Sequence, residues 1–114
     1  MAHGDTIDSG RVAGNNYYVR HKLLDAAAGT TDGVWIDVRG FTRLSVHIDM
    51  GVGTVQIRGS NAPAKPANGV HEIQIDADIT TDKLLDVNVP LSWIKAMVSQ
   101  HTSGTHSVYL IAQV

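Results

Sequence analysis

At 114 residues the chain is long enough for one domain around a single core. Hydrophobic residues make up 43 % and charged residues 18 %, which is a globular rather than a disordered composition. A formal charge of −2 gives no global electrostatic drive toward nucleic acid or an anionic membrane, and the absence of cysteine excludes disulfides, thiolate metal sites and cysteine nucleophiles.

No apolar run approaches the roughly 20 residues that span a bilayer, and residues 1–10 lack the apolar stretch of a secretory signal. A protein folded in a reducing cytosol is expected. Residues 1–16 are polar and glycine-containing, without periodicity, and are expected to form a flexible or extended N-terminal arm. Such an arm can order against a neighbouring subunit, where new contacts offset its entropy cost. Residues 17–114 form the expected β-sandwich domain.

The first expected strand covers residues 17–25. Its two faces both carry apolar groups, Tyr17, Val19 and Leu23 against Tyr18 and Leu24, as in a strand covered on both sides or an edge strand meeting another chain. Clean alternation follows in three runs. Val34, Ile36 and Val38 alternate with Trp35 and Asp37; Leu44, Val46, Ile48 and Met50 alternate with polar residues; Val55 and Ile57 alternate with Thr54, Gln56 and Arg58. Short connections between them predict an antiparallel meander.

Residues 59–69, with Asn61, Pro63, Pro66 and Asn68, form a loop long enough to cross between sheets. Strands are expected again over 73–79 and 85–89. Two runs rich in Val, Ile, Trp and Tyr, 92–100 and 105–114, flank a polar turn containing Gly104 and predict a C-terminal β-hairpin. The expected class is all-β, an antiparallel sandwich of jelly-roll or Greek-key type with about eight strands.

Catalytic and metal chemistry finds no motif. The six histidines, His3, His21, His47, His71, His101 and His106, are scattered without HxH or HExxH spacing and are expected at the surface. A cupin metal site would need paired histidines and a carboxylate converging inside the barrel. Asp76, Asp78 and Asp82 resemble the start of a calcium loop, but no glycine stands at its sixth position and Val87 occupies its twelfth. A looser surface calcium site stays open beside the plainer reading, a solvated acidic face. Gly51–Gly53 lacks the third glycine of a dinucleotide loop, no GxSxG elbow occurs, and Glu72 is the only glutamate. The chain is therefore expected to be no enzyme, with no cofactor, no metal and no catalytic residue.

Trp35 and Trp93 fall on strand faces opposite the apolar ones. Each is either an exposed platform for a sugar or protein partner, or part of a second face covered by a loop or strand. With Tyr17 and Tyr18 they are the candidate protein-interface residues.

The runs 54–63 (TVQIRGSNAP), 91–99 (LSWIKAMVS) and 102–110 (TSGTHSVYL) resemble small β-sandwich virion proteins of tailed bacteriophages. In those, a GSN loop precedes a strand of the W-I-(K/R)-A-x-V type and a T-S-G-T-x-S-V turn and strand. The resemblance implies a structural role as a capsid decoration, or cement, protein, made in the host cytoplasm and placed on the outer capsid surface of the virion. The implied partners are the major capsid protein and copies of itself as trimer or dimer, with no nucleic acid and no membrane. A tail or fibre accessory, or a carbohydrate-binding module using Trp35 or Trp93, is the alternative it leaves.

Overall fold

A computed structural model describes residues 2–12 and 16–114. Ten strands run in chain order: β1 (Asp5–Val12), β2 (Asn16–Ala27), β3 (Thr31–Asp32), β4 (Ile36–Asp37), β5 (Arg43–Asp49), β6 (Val52–Ser60), β7 (Ile73–Ile79), β8 (Lys83–Val87), β9 (Trp93–Ser103) and β10 (His106–Gln113). They make two antiparallel sheets. The first has the order β1-β2-β10-β5-β8; the second has the order β3-β9-β6-β7, with β4 also paired to β9.

The pairings describe one long ribbon wrapped on itself. β2 pairs β10, β3 and β4 pair β9, β5 pairs β8, and β6 pairs β7. Rolling the ribbon then brings β10 against β5 and β9 against β6. This is a jelly-roll sandwich, with β1 added as an extra strand on the β2 edge.

Alternation places the core between the sheets. Leu44, Val46, Ile48, Val108, Leu110 and Ala112 point in from the first sheet; Val55, Ile57, Ile94, Ala96 and Val98 point in from the second. The doubled apolar pattern of β2 has a local cause. Val108 pairs with Leu24 and Tyr109 with Lys22, so Leu23 is an extra residue on β2 and both leucines are fully buried.

Several expectations about pairing are corrected. The runs 92–100 and 105–114 are not a hairpin: β9 belongs to the second sheet and β10 to the first. Likewise no meander joins β4, β5 and β6, because successive strands cross from one sheet to the other. Alternation is a local property, whereas the partner is chosen by how the ribbon wraps. The run 34–38 yields only the two-residue β4, and Val34 is 41 % exposed rather than in the core.

The N-terminal stretch also differs from a free arm. β1 pairs along β2, from Asp5 opposite Lys22 to Val12 opposite Asn16. Arg20 Nε donates to Asp8 Oδ1 at 2.6 Å, Gly4 N–H donates to the Lys22 carbonyl at 2.7 Å, and Asp25 N–H donates to His3 Nδ1 at 2.8 Å. Removing residues 1–16 would therefore strip a strand and uncover the β2 edge.

His106 departs from the surface expectation as well. It is fully buried beneath the β9–β10 turn, where Gly51 N–H donates to its Nδ1 at 3.3 Å. That donor leaves the ring proton on Nε2, which donates to His101 Nδ1 at 3.1 Å. Burial, then the neighbouring His101, lowers the His106 pKa from 6.5; burial likewise lowers that of His21. With folded pKa values below the unfolded one, both groups contribute stability that is complete above about pH 6.5 and is lost as pH falls through the unfolded value toward the folded ones. The urea midpoint is expected to fall between pH 7 and pH 5, and His106→Gln to flatten that slope. An equal slope in the variant would remove His106 as its source.

Candidate binding face

The two outer faces of the sandwich differ in kind. The outer face of the second sheet is roofed by residues 61–72 and by the segment between β3 and β4. Gly33 makes that second piece possible: a Cβ there would stand 2.0 Å from the Ala96 carbonyl oxygen, to which Gly33 N–H donates. The chain passes tight against β9 and lays Trp35 over it. Trp93 Nε1 donates to the Ala62 carbonyl at 3.1 Å, and Ser92 N–H donates to Asn61 Oδ1 at 2.9 Å.

Trp35 and Trp93 are consequently 4 % and 9 % exposed. Neither is an open platform; the covered-face alternative is what the structure holds. The reason lies in a loop whose Pro, Asn and Gly residues carry no period from which its position could be inferred. Lys95, between them on β9, is fully buried under the same roof.

The first sheet has no such cover among the described residues. Cross-strand register lines its outer face in rows. One row runs Asp8, Arg20, Ile111, Ser45, Asp86; the next runs Asp5, Lys22, Tyr109, His47, Leu84. Tyr18 sits opposite Gln113 at the end of the sheet. Ile7, Arg20, Ser45, His47, Leu84 and Tyr109 line a shallow trough of about 390 Å³. A second hollow of about 330 Å³ over Tyr18, Arg20, Ile111 and Gln113 continues it.

Charged neighbours hold the aromatic centre in place. Lys22 Nζ stands 5.3 Å from the Tyr109 ring centroid and 2.6 Å from Asp25 Oδ1, and the His47 ring lies 5.8 Å from Tyr109. The hydrogen bond from Arg20 keeps the Asp8 carboxyl below its usual range, and that from Lys22 does the same for Asp25. The face thus combines Tyr109, Ile111 and Leu84 with fixed charges of both signs, a composition suited to gripping a protein surface.

Of the four predicted interface residues, Tyr18 alone reaches this face. Tyr17, on the opposite side of β2, stacks on Phe41 at 6.3 Å with 39 % exposure. Tyr109 and Ile111 were missed, although their alternation with buried Val108, Leu110 and Ala112 carried the signal. The acidic residues of 76–82 are spent separately: Asp76 pairs Lys83 at 2.5 Å, Asp78 accepts from Gln56 and Gln74, and Asp82 accepts from Met50 N–H. Among the described residues no group of three or more His, Asp or Glu side chains is placed to hold a metal.

No protein-family model matches the sequence, and no curated protein does. Among solved structures the chain is similar to the SPBc2 prophage-derived protein YomS. That match has a TM-score of 0.66 at 16 % identity and covers 92 % of this chain and 100 % of the other. A Drosophila melanogaster CENP-C cupin domain matches at TM-score 0.41 and 8 % identity, over 92 % of this chain and 64 % of that one. A point mutant of a carbohydrate-binding module of family 29 matches at TM-score 0.34 and 14 % identity, over 96 % of this chain and 80 % of that one. At these identities the first likeness speaks to the fold, and the other two are too distant to argue from.

Proposed function

We propose that this chain is a non-enzymatic structural protein of a tailed-phage particle that docks on the outer capsid surface and stabilises the shell. The observation that carries the reading is the uncovered outer face of the first sheet, centred on Tyr109 and Ile111 and ringed by fixed charges. A fold shared over the whole length of a prophage-derived protein supports the setting. The partners are the major capsid protein and further copies of this chain, as dimer or trimer. Binding only the assembled shell lowers that state's free energy by linkage, and copies arrayed on symmetry axes multiply weak contacts.

Copy number in purified particles, by quantitative mass spectrometry against the major shell protein, tests the setting. Copies comparable to the shell protein are expected. A small fixed fraction would move the chain to a vertex, tail or fibre, and absence from particles would overturn the virion reading.

A further inference from the structure

Under the roof of the second sheet three side chains meet in an arrangement that asks for more than packing. Lys95 is fully buried, with its Nζ 2.6 Å from Asp32 Oδ1 and 2.9 Å from Glu72 Oε2. Nζ lies within ion-pairing distance of both carboxylates yet makes no hydrogen bond of proper direction to either. The Trp35 ring stands 4.9 Å from the same nitrogen. Glu72 is 5 % exposed and its Oε2 also accepts from Gly69 N–H, so its position is set by the roof loop. Asp32 is 37 % exposed and opens toward solvent.

We propose that Lys95 and Asp32 condense into an intramolecular amide, with Glu72 carrying the protons. The chemistry follows from the placement. Glu72 Oε2, 2.9 Å from Nζ, is placed to take an ammonium proton, and that transfer leaves an amine lone pair beside the Asp32 carboxyl, whose Oδ1 is 2.6 Å away. That pair attacks the Asp32 carboxyl carbon, forming the C–N bond, while Glu72 passes the proton to an Asp32 oxygen. The C–O bond then breaks. Of the three ammonium protons, one remains as the amide N–H and two leave with the oxygen as water; Glu72 returns to its starting state. No oxidant or second reactant is needed. Fixed proximity replaces the encounter that makes such condensations slow between free groups. The exposed side of Asp32 gives the released water an exit.

The product would bolt the edge of the second sheet to its centre. β3 pairs with β9 through Thr31 and Asp32, opposite Val98 and Met97. An amide from Asp32 to Lys95 makes that short edge covalent, and the bond stands whatever the chain docks on.

Intact-mass measurement of the full-length protein tests the proposal. A mass lower by one water is expected, together with a branched peptide joining the segments around Asp32 and Lys95 after digestion. Asp32 precedes Gly33, and succinimide closure at that aspartate would also release one water. The branched peptide separates the two, as does Lys95→Ala, which keeps full mass if the amide forms and still loses water if the succinimide does. Glu72→Gln is expected to keep full mass in a folded protein. An unmodified wild-type mass, or a water loss without the branched peptide, would overturn the amide and leave a buried ion pair.

Discussion

Trp93→Ala is expected to destabilise the sandwich by about 3–5 kcal/mol, the range for removing a buried large aromatic. Trp93 is the post on which the roof of the second sheet rests. Its indole N–H holds the Ala62 carbonyl, and its ring carries the Arg39 guanidinium at 5.3 Å. Arg39 is in turn fixed to Asp37, the residue opposite Trp93 in the β4–β9 pairing. Alanine would empty the space beneath residues 61–72 and leave the Ala62 carbonyl without its donor. Urea unfolding should record the loss, and limited proteolysis should find new cleavage within 61–72. Trp93→Phe separates the two contributions: it keeps most of the packing and removes only the hydrogen bond, for a loss of about 1 kcal/mol. A loss below about 1 kcal/mol for the alanine variant would mean that the roof is held by something other than Trp93.

The same roof explains where sequence reasoning stopped. Alternation in residues 43–49 and 106–113 sufficed to name the inward residues of β5 and β10, because a strand buried on one face repeats every second residue. It also put Trp35 and Trp93 on the face away from the core. What it could not supply was the cover, since a loop containing Pro63, Pro66 and Gly69 has no period, and a lysine on a polar face reads as solvated. β1 was hidden for a related reason. Its sequence, DTIDSGRV, has too few apolar residues to alternate, and its place in the sheet rests on backbone pairing to β2 and the Asp8–Arg20 ion pair. β7 shows the limit in another form. Its alternating isoleucines promise a regular strand, yet Ile75 and Ile79 pair with Ile57 and Val55. The two extra residues on β7 make a bulge with Asp76 at a φ of 65°, and Ile73 stays 71 % exposed.

If the first sheet's outer face docks the shell, the double variant Tyr109→Ala with Ile111→Asp is expected to weaken shell binding by about a hundredfold to a thousandfold. Central interface residues of this kind cost about 2 kcal/mol or more each when truncated. Both side chains project from the middle strand of that sheet, with rows of polar partners on either side, so they sit where an interface would exclude water most fully. The charge introduced at position 111, between Arg20 and Ser45, would have to be desolvated on docking, which adds a cost to the lost contact. Folding should change little, by about 1 kcal/mol or less, because Ile111 is 38 % exposed and neither residue belongs to the core. Val89→Asp is the control: Val89 is 57 % exposed and lies beside Ile73 and Leu91, away from this face. Pelleting of labelled protein with shells stripped of it would compare the three. Normal binding by the folded double variant would exclude the first-sheet face, and loss in Val89→Asp alone would move the contact to the β7 side of the sandwich.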